Sequence, residues 1–261
     1  MELATIYKEA DLIQIYQALH DAGDASNPRG ESTLEIENFT YSVSPFVRFN
    51  SFEGRKFNLS YLKREMAWYI KADPFDTSIA EHAAQWGKIV LNGKLNSNYG
   101  SYWFGKHGVQ RIVMLLQKDP MSRRAVIPMY GTDEDHMDLD AKDVPCTTCI
   151  EFRLRDGTLN TRVVMRSQDI LWGMANDLPT FSFLQEIVAS LLNAKIGILT
   201  VSVGSFHVYM SRIDMFHEIL TKNNHIPLAD KPPLIRRYEA HNIMAKSVNP
   251  TFEFSKWLLQ L

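Results

Sequence analysis

The stretch from Thr148 to Met165 constrains this chain most. Two runs, Thr148 to Leu154 and Leu159 to Met165, alternate apolar and polar residues on either side of Asp156-Gly157. Alternation gives each run one face for a core and one for water, and Asp-Gly is a strong signal for the tight turn of a β-hairpin. A hairpin needs other layers to cover its apolar face. Helical spacing supplies candidates over Ala10 to Ala22, with Leu12, Ile13, Tyr16 and Leu19 on one face, over Tyr61 to Lys71, and over Val109 to Lys118, which Asp119-Pro120 closes. A longer helix is predicted from about Leu178 to Asn193 and another from Ser211 to Lys222. Thr33 to Val43, Ala125 to Tyr130 and Ile198 to Tyr209 read as extended. Strands mixed with long helices, without regular βαβ alternation, predict an α+β fold. No repeat or Gly/Ser linker divides the chain, so residues 1–261 read as one domain.

With 45% hydrophobic residues the chain can bury a sizeable core. Its formal net charge of -2 excludes the continuous basic surface of a general nucleic-acid coat, although local arginine pairs remain able to hold one phosphate. The first residues carry acids where a signal peptide carries positive charge, and no apolar run approaches the roughly 20 residues that span a bilayer. A cytoplasmic protein is the expectation.

The chain has two cysteines, Cys146 and Cys149. Their CxxC spacing fits redox and zinc proteins, but no second CxxC and no paired histidines stand at ligand spacing, so no metal is expected. A strand follows them, and three residues of extended chain point the two sulfurs to opposite faces. Burial as two small core residues is the plain alternative. Against it stands the far end of the hairpin, Arg166-Ser167-Gln168-Asp169, followed by Gly173 and Asn176-Asp177. An arginine brought beside a cysteine stabilises the reactive thiolate. Arg123-Arg124 and Arg29, in a loop of Asn27, Pro28 and Gly30, present guanidinium forks that suit a phosphate.

Taken in order, these residues resemble the thymidylate synthase family across nearly the whole chain. The resemblance lies in Arg29-Gly30, Arg64-Glu65-Met66-Ala67-Trp68-Tyr69, Asn98-Tyr99-Gly100, Asp119-Pro120-Met121-Ser122-Arg123-Arg124, Pro145-Cys146, Arg166 to Asp169 with Gly173, and His207-Val208-Tyr209. It implies a large mixed β-sheet packed with helices, with one sheet face forming an obligate homodimer interface. It also implies Cys146 as the nucleophile at C6 of a pyrimidine nucleoside monophosphate, and 5,10-methylenetetrahydrofolate as one-carbon donor. Arg29, Arg166 and Ser167, with Arg123 and Arg124 from the other subunit, would hold the phosphate. His207 and Tyr209 would hold the sugar; Trp86, Asp169 and Gly173 would meet the folate. Glu65, with Tyr99 nearby, would order water and relay protons.

The departures from that family carry further meaning. Where it has histidine after the nucleophile, glutamine before Arg-Ser and Pro-Phe-Asn after the glycine, this chain has Thr147, Met165 and Ala175-Asn176-Asp177. Asp177 falls where a uracil-reading asparagine belongs, which resembles the deoxycytidylate hydroxymethylase branch. An ionised carboxylate only accepts hydrogen bonds, so it conflicts with uracil O4 and matches the cytosine N4 amino group. Two other readings stay open at this point. Asp177 precedes the predicted helix, with Pro179 in its first turn, and so fits an N-cap; a one-residue slip would put Asn176 in the base-reading place. The residues also leave open CMP or dCMP, a methyl or hydroxymethyl product, a dUMP substrate, and a catalytically silent nucleotide-binding relative. The tail Phe252 to Leu261 differs from the family's closing segment.

Overall fold

A computed structural model describes residues 1–55, 57–131 and 134–260. The helices are α1 (Ile13–Ala22), α2 (Leu59–Lys71), α3 (Ala84–Ile89), α4 (Tyr99–Trp103), α5 (Val109–Lys118), α6 (Gly173–Leu192), α7 (Ile213–Lys222), α8 (Arg237–Met244) and α9 (Glu253–Leu259). The strands are β1 (Asp24–Ser26), β2 (Thr33–Val43), β3 (Val126–Pro128), β4 (Thr147–Arg155), β5 (Thr158–Asp169) and β6 (Lys195–Tyr209). Among the described residues they hydrogen-bond in the order β1-β2-β6-β5-β4-β3, and this six-stranded mixed sheet packed with helices makes the fold α+β. At the β4–β5 turn Asp156 (φ 49°) and Gly157 (φ 72°) are both left-handed, the conformation the Asp-Gly pair favours.

The chain divides into two compact units. Met1–Phe57, Arg162–Ser182 and Gly197–Lys231 make the first. There β2 runs antiparallel to β6, with Glu35 opposite His207 and Tyr41 opposite Val201. Tyr16 of α1 lies between Phe52 and Phe216, and Phe39 stacks on Phe206. Residues Glu9–Leu12 wind as a 3-10 turn. Its tighter pitch shifts the phase of the following helix, so Ile15 is buried where the spacing had nominated Ile13.

Asn58–Thr161, Phe183–Ile196 and Pro232–Leu261 make the second unit. In it β3 pairs with β4, Pro128 opposite Cys149. Phe183 of α6 packs edge-on against Phe254 and Trp257 of α9. Neither α8 nor α9 has a counterpart in the sequence reading. The tail is seated by Glu239, a fully buried carboxylate that accepts from the amides of Arg236, Phe254 and Ser255. Lys63 of α2 donates to the Gln260 carbonyl at 3.1 Å and lies 4.4 Å over the Trp257 ring. Among the described residues no helix is long and apolar enough to cross a membrane.

Candidate active site

In the first unit the site is organised around the corner where β5 becomes α6. Asp169 makes that corner: its Oδ1 accepts from the Leu171 amide at 2.9 Å and its Oδ2 from the Trp172 amide at 3.2 Å. The chain therefore turns into a helix at Gly173, five residues before the predicted start. Asp177 lies inside α6, so it is not an N-cap. Pro179 misled the reading because proline favours a first turn; here it stands inside the helix, where its ring nitrogen forgoes one backbone hydrogen bond.

Along β5 burial alternates through Leu159, Thr161, Val163 and Met165, and at the end of the strand Gln168 breaks that phase, buried at 3% exposure. The Gln168 Nε2 donates to Asp177 Oδ2 at 2.9 Å, and its Oε1 accepts from the Tyr41 hydroxyl at 3.0 Å. Burial pushes the half-buried Asp177 carboxyl up to about 7; the nearby charge of Asp169 adds to the rise and the Gln168 amide opposes it. Burial, reinforced by Asp177, holds the Tyr41 hydroxyl far above its ordinary range, so it stays protonated. Asn176 turns the other way, donating to the Trp172 carbonyl at 3.0 Å on the exposed side of the helix.

Asp169 is itself raised by burial, although the two amides, His207 and Arg55 all favour its charged form. His207 is buried on β6, its Nδ1 3.4 Å from Ser205 Oγ and its ring 5.0 Å from that of Tyr209, edge-on. The His207 carbonyl accepts from the Ile170 amide at 2.9 Å, which ties β6 to the corner. A Cβ at Gly204 would stand 2.9 Å from the Arg166 carbonyl oxygen, so glycine permits the close approach of the Arg166 backbone. Arg166 is exposed, Ser167 half-buried, and Arg29 exposed in a left-handed conformation (φ 55°) ahead of Gly30 (φ 83°).

Sequence reasoning missed Gln168, Tyr41 and Arg55. Arg55 is 3% exposed, its guanidinium 5.2 Å over the ring of Trp172, and burial lowers its pKa. Alternation along β5 puts Gln168 on the side of the exposed Arg162 and Arg166 and so hid its burial, and nothing local pointed to Tyr41 or Arg55.

In the second unit Cys146 stands immediately before β4, half-buried, and neither it nor Cys149 is in a disulfide. The Thr147 amide donates to the Tyr99 hydroxyl at 3.4 Å, placing that phenol beside the residue that follows Cys146. Tyr99 opens α4, and its ring stacks on Tyr69 of α2 at 5.6 Å and 6°. Gly100 makes this possible: a Cβ there would fall 1.6 Å from the Tyr69 carbonyl oxygen. Glu65, 5% exposed on α2, accepts from the Tyr61 hydroxyl at 2.8 Å, and that hydroxyl accepts from Trp86 Nε1 at 2.8 Å. Trp86 thus has its ring 5.4 Å from Trp68 and its indole N–H engaged on Tyr61. Arg123 and Arg124 are exposed on a turn held by Asp119 and Ser122, whose side chains accept from the Met121 and Arg124 amides.

The sequence model of the thymidylate synthase family matches residues 12–246. Over 207 residues the chain is 30% identical to a deoxycytidylate 5-hydroxymethyltransferase of Enterobacteria phage T4, a match covering 74% of this chain and 82% of that protein. The same figures hold for the enzyme of that name in Enterobacteria phage T2. Over 204 residues it is 26% identical to a deoxyuridylate hydroxymethyltransferase of Bacillus phage SP01, covering 72% of this chain and 53% of that protein.

Proposed function

The chain belongs to the thymidylate synthase family, and from that premise we propose that it hydroxymethylates C5 of a cytidine nucleotide, dCMP or CMP. It is a one-carbon transferase by kinship. The observation that carries the cytosine assignment is the Asp177 carboxylate, half-buried inside α6 with Oδ2 engaged by Gln168. Such a group accepts from the cytosine N4 amino group and repels uracil O4 while it is ionised. The outward turn of Asn176 toward the Trp172 carbonyl supports Asp177 as the base reader.

In this reading the Cys146 thiolate, favoured by Arg166, adds to C6, and C5 gains the nucleophilic character of an enamine. 5,10-Methylenetetrahydrofolate supplies the methylene unit. Asp169, an acceptor beside the exposed indole of Trp172, fits a flat polar heteroaromatic ring, with Gly173 next to it and Trp86 as the further aromatic candidate. Once N3 has become basic, its hydrogen also finds Asp177, so the contact strengthens along the reaction, where it accelerates chemistry. Glu65, with its carboxylate already receiving the Tyr61 hydroxyl, orients the water that attacks the exocyclic methylene at C5, and Tyr99 stands by as a second hydroxyl. Arg29, Arg166 and Ser167 take the phosphate together with Arg123 and Arg124 of a second copy in a homodimer; the outward position of that pair suits donation to a neighbour. His207 and Tyr209 take the sugar hydroxyl.

Incubation with CMP, dCMP and dUMP, each tritiated at C5, plus methylenetetrahydrofolate tests this directly. Tritium release from a cytidine nucleotide and a product heavier by one hydroxymethyl group are expected. No release from any nucleotide would overturn the catalytic reading, and preferential release from dUMP would overturn the role of Asp177.

A further inference from the structure

Gln168 has no part in the roles above, yet it is the buried side chain that touches the base reader. The direction of its hydrogen bonds is fixed by chemistry. An ionised carboxylate accepts only, so the Gln168 amide must present its NH2 to Asp177 Oδ2. The amide oxygen then faces Tyr41, and a tyrosine hydroxyl that stays protonated can donate to it. Rotating the amide by half a turn would set its oxygen against the carboxylate, a clash of two acceptors where little water can relieve it. Tyr41, fully buried on β2, therefore aims Gln168, and Gln168 claims one particular oxygen of Asp177. Among the described residues no hydrogen bond is made to Oδ1.

We propose that Gln168, aimed by Tyr41, is the positioning residue that sets base preference: it holds Asp177 Oδ2 as an acceptor and leaves Oδ1 to meet the pyrimidine. This rests on the reading of Asp177 as base reader. With the amide in place Asp177 is favoured as a carboxylate, and its ligand-facing oxygen accepts from a cytosine amino group. A proton that Asp177 takes up is favoured on Oδ1, since Oδ2 then stays a carbonyl oxygen, the better acceptor for the Gln168 amide. A carboxyl protonated there donates, and so accommodates uracil O4. Gln168 opposes that state, because its hydrogen bond favours the ionised form. Asp169 is the charged group that faces Asp177 and pushes the other way; Arg55 and His207 act on Asp169.

The test compares wild type, Gln168→Met, Tyr41→Phe, Asp177→Asn and the Gln168→Met/Asp177→Asn double variant. Two readouts are taken from pH 6 to 9: calorimetric affinity for dCMP and dUMP without folate, and C5 tritium release with it. Gln168→Met should lower the cytosine-to-uracil ratio on the order of tenfold, the scale of one hydrogen bond to a charged group, with the largest fall at the acid end. Tyr41→Phe, which removes one hydroxyl, should lower the ratio by less in the same direction. In the Asp177→Asn background, Gln168→Met should leave the ratio unmoved. A Gln168→Met protein that loses both nucleotides equally would make the residue merely structural and overturn the inference, as would an unchanged ratio in Tyr41→Phe should Gln168→Met fail to fold. A wild type that does not prefer cytosine removes premise and inference together; a cytosine-preferring wild type whose ratio survives Gln168→Met removes the inference alone.

Discussion

Replacing Asp177 by asparagine should change how the ligand-free protein responds to pH, and the size of the change follows from its surroundings. The carboxyl moves from an ordinary value of 3.8 to about 7, chiefly because burial disfavours its charge. A rise of about 3 units corresponds to roughly 4 kcal/mol at about 1.4 kcal/mol per unit. Asp177 keeps partial contact with solvent, so about half of that, ~2 kcal/mol, is a reasonable lower expectation. The sign follows from proton counting. Between pH 4 and 7 the folded chain holds a proton on Asp177 that the unfolded chain has released, so wild-type stability falls as pH rises through this window and levels off above 7. Stability from this source is fully present below about pH 4.

Asparagine carries no such proton and still offers an oxygen to the Gln168 amide. Asp177→Asn should therefore gain about 2–4 kcal/mol relative to wild type on going from pH 4.5 to pH 8, whatever its offset at the acid end. Urea unfolding of both proteins across that range provides the measurement. The other displaced carboxyls, Asp143 and Asp169 upward and Glu53 and Asp76 downward, titrate in both proteins and largely cancel in the difference. A stability difference that stays flat from pH 4.5 to 8 would refute the argument. It would mean that Asp177 is ionised without penalty, and that its environment is wetter than its burial and its contact with Gln168 imply.

Gly100→Ala should cost about 3 kcal/mol or more, since the added methyl falls within bonding distance of the Tyr69 carbonyl oxygen and α4 must back away from α2. Thermal unfolding reads the loss, and because Tyr99 opens α4, turnover should fall further than the fraction of folded protein does. Glu239→Ala should leave the buried amides of Phe254 and Ser255 without their acceptor, at about 1–3 kcal/mol each. Hydrogen exchange should speed up over α9 before it does over α2; equal protection in variant and wild type would count against Glu239 as the anchor of the tail.

What could be read from the sequence follows from the range of the forces that fix each element. The strand predicted over Thr33 to Val43 and the helix over Val109 to Lys118 end at those residues in the structure, because alternation, helical spacing and the Asp-Pro stop are local. The start of α6 was misplaced because it depends on two bonds from one side chain, Asp169, to amides two and three residues on. Periodicity carries no trace of those bonds, whereas Pro179 sends a loud and misleading local signal. The tail was illegible for a related reason: the amide of Phe254 is capped by Glu239, 15 residues upstream. Cys146, Glu65, Asp177 and the exposed arginines could be nominated because ordered motifs around them resemble those of a known family. Gln168 could not, because its meaning depends on a tyrosine 127 residues away that decides which way its amide points. On the proposed reading, base selection rests on three residues: Asp177 would bring the charge, Gln168 would choose the oxygen that carries it to the ligand, and Tyr41 would choose the orientation of Gln168.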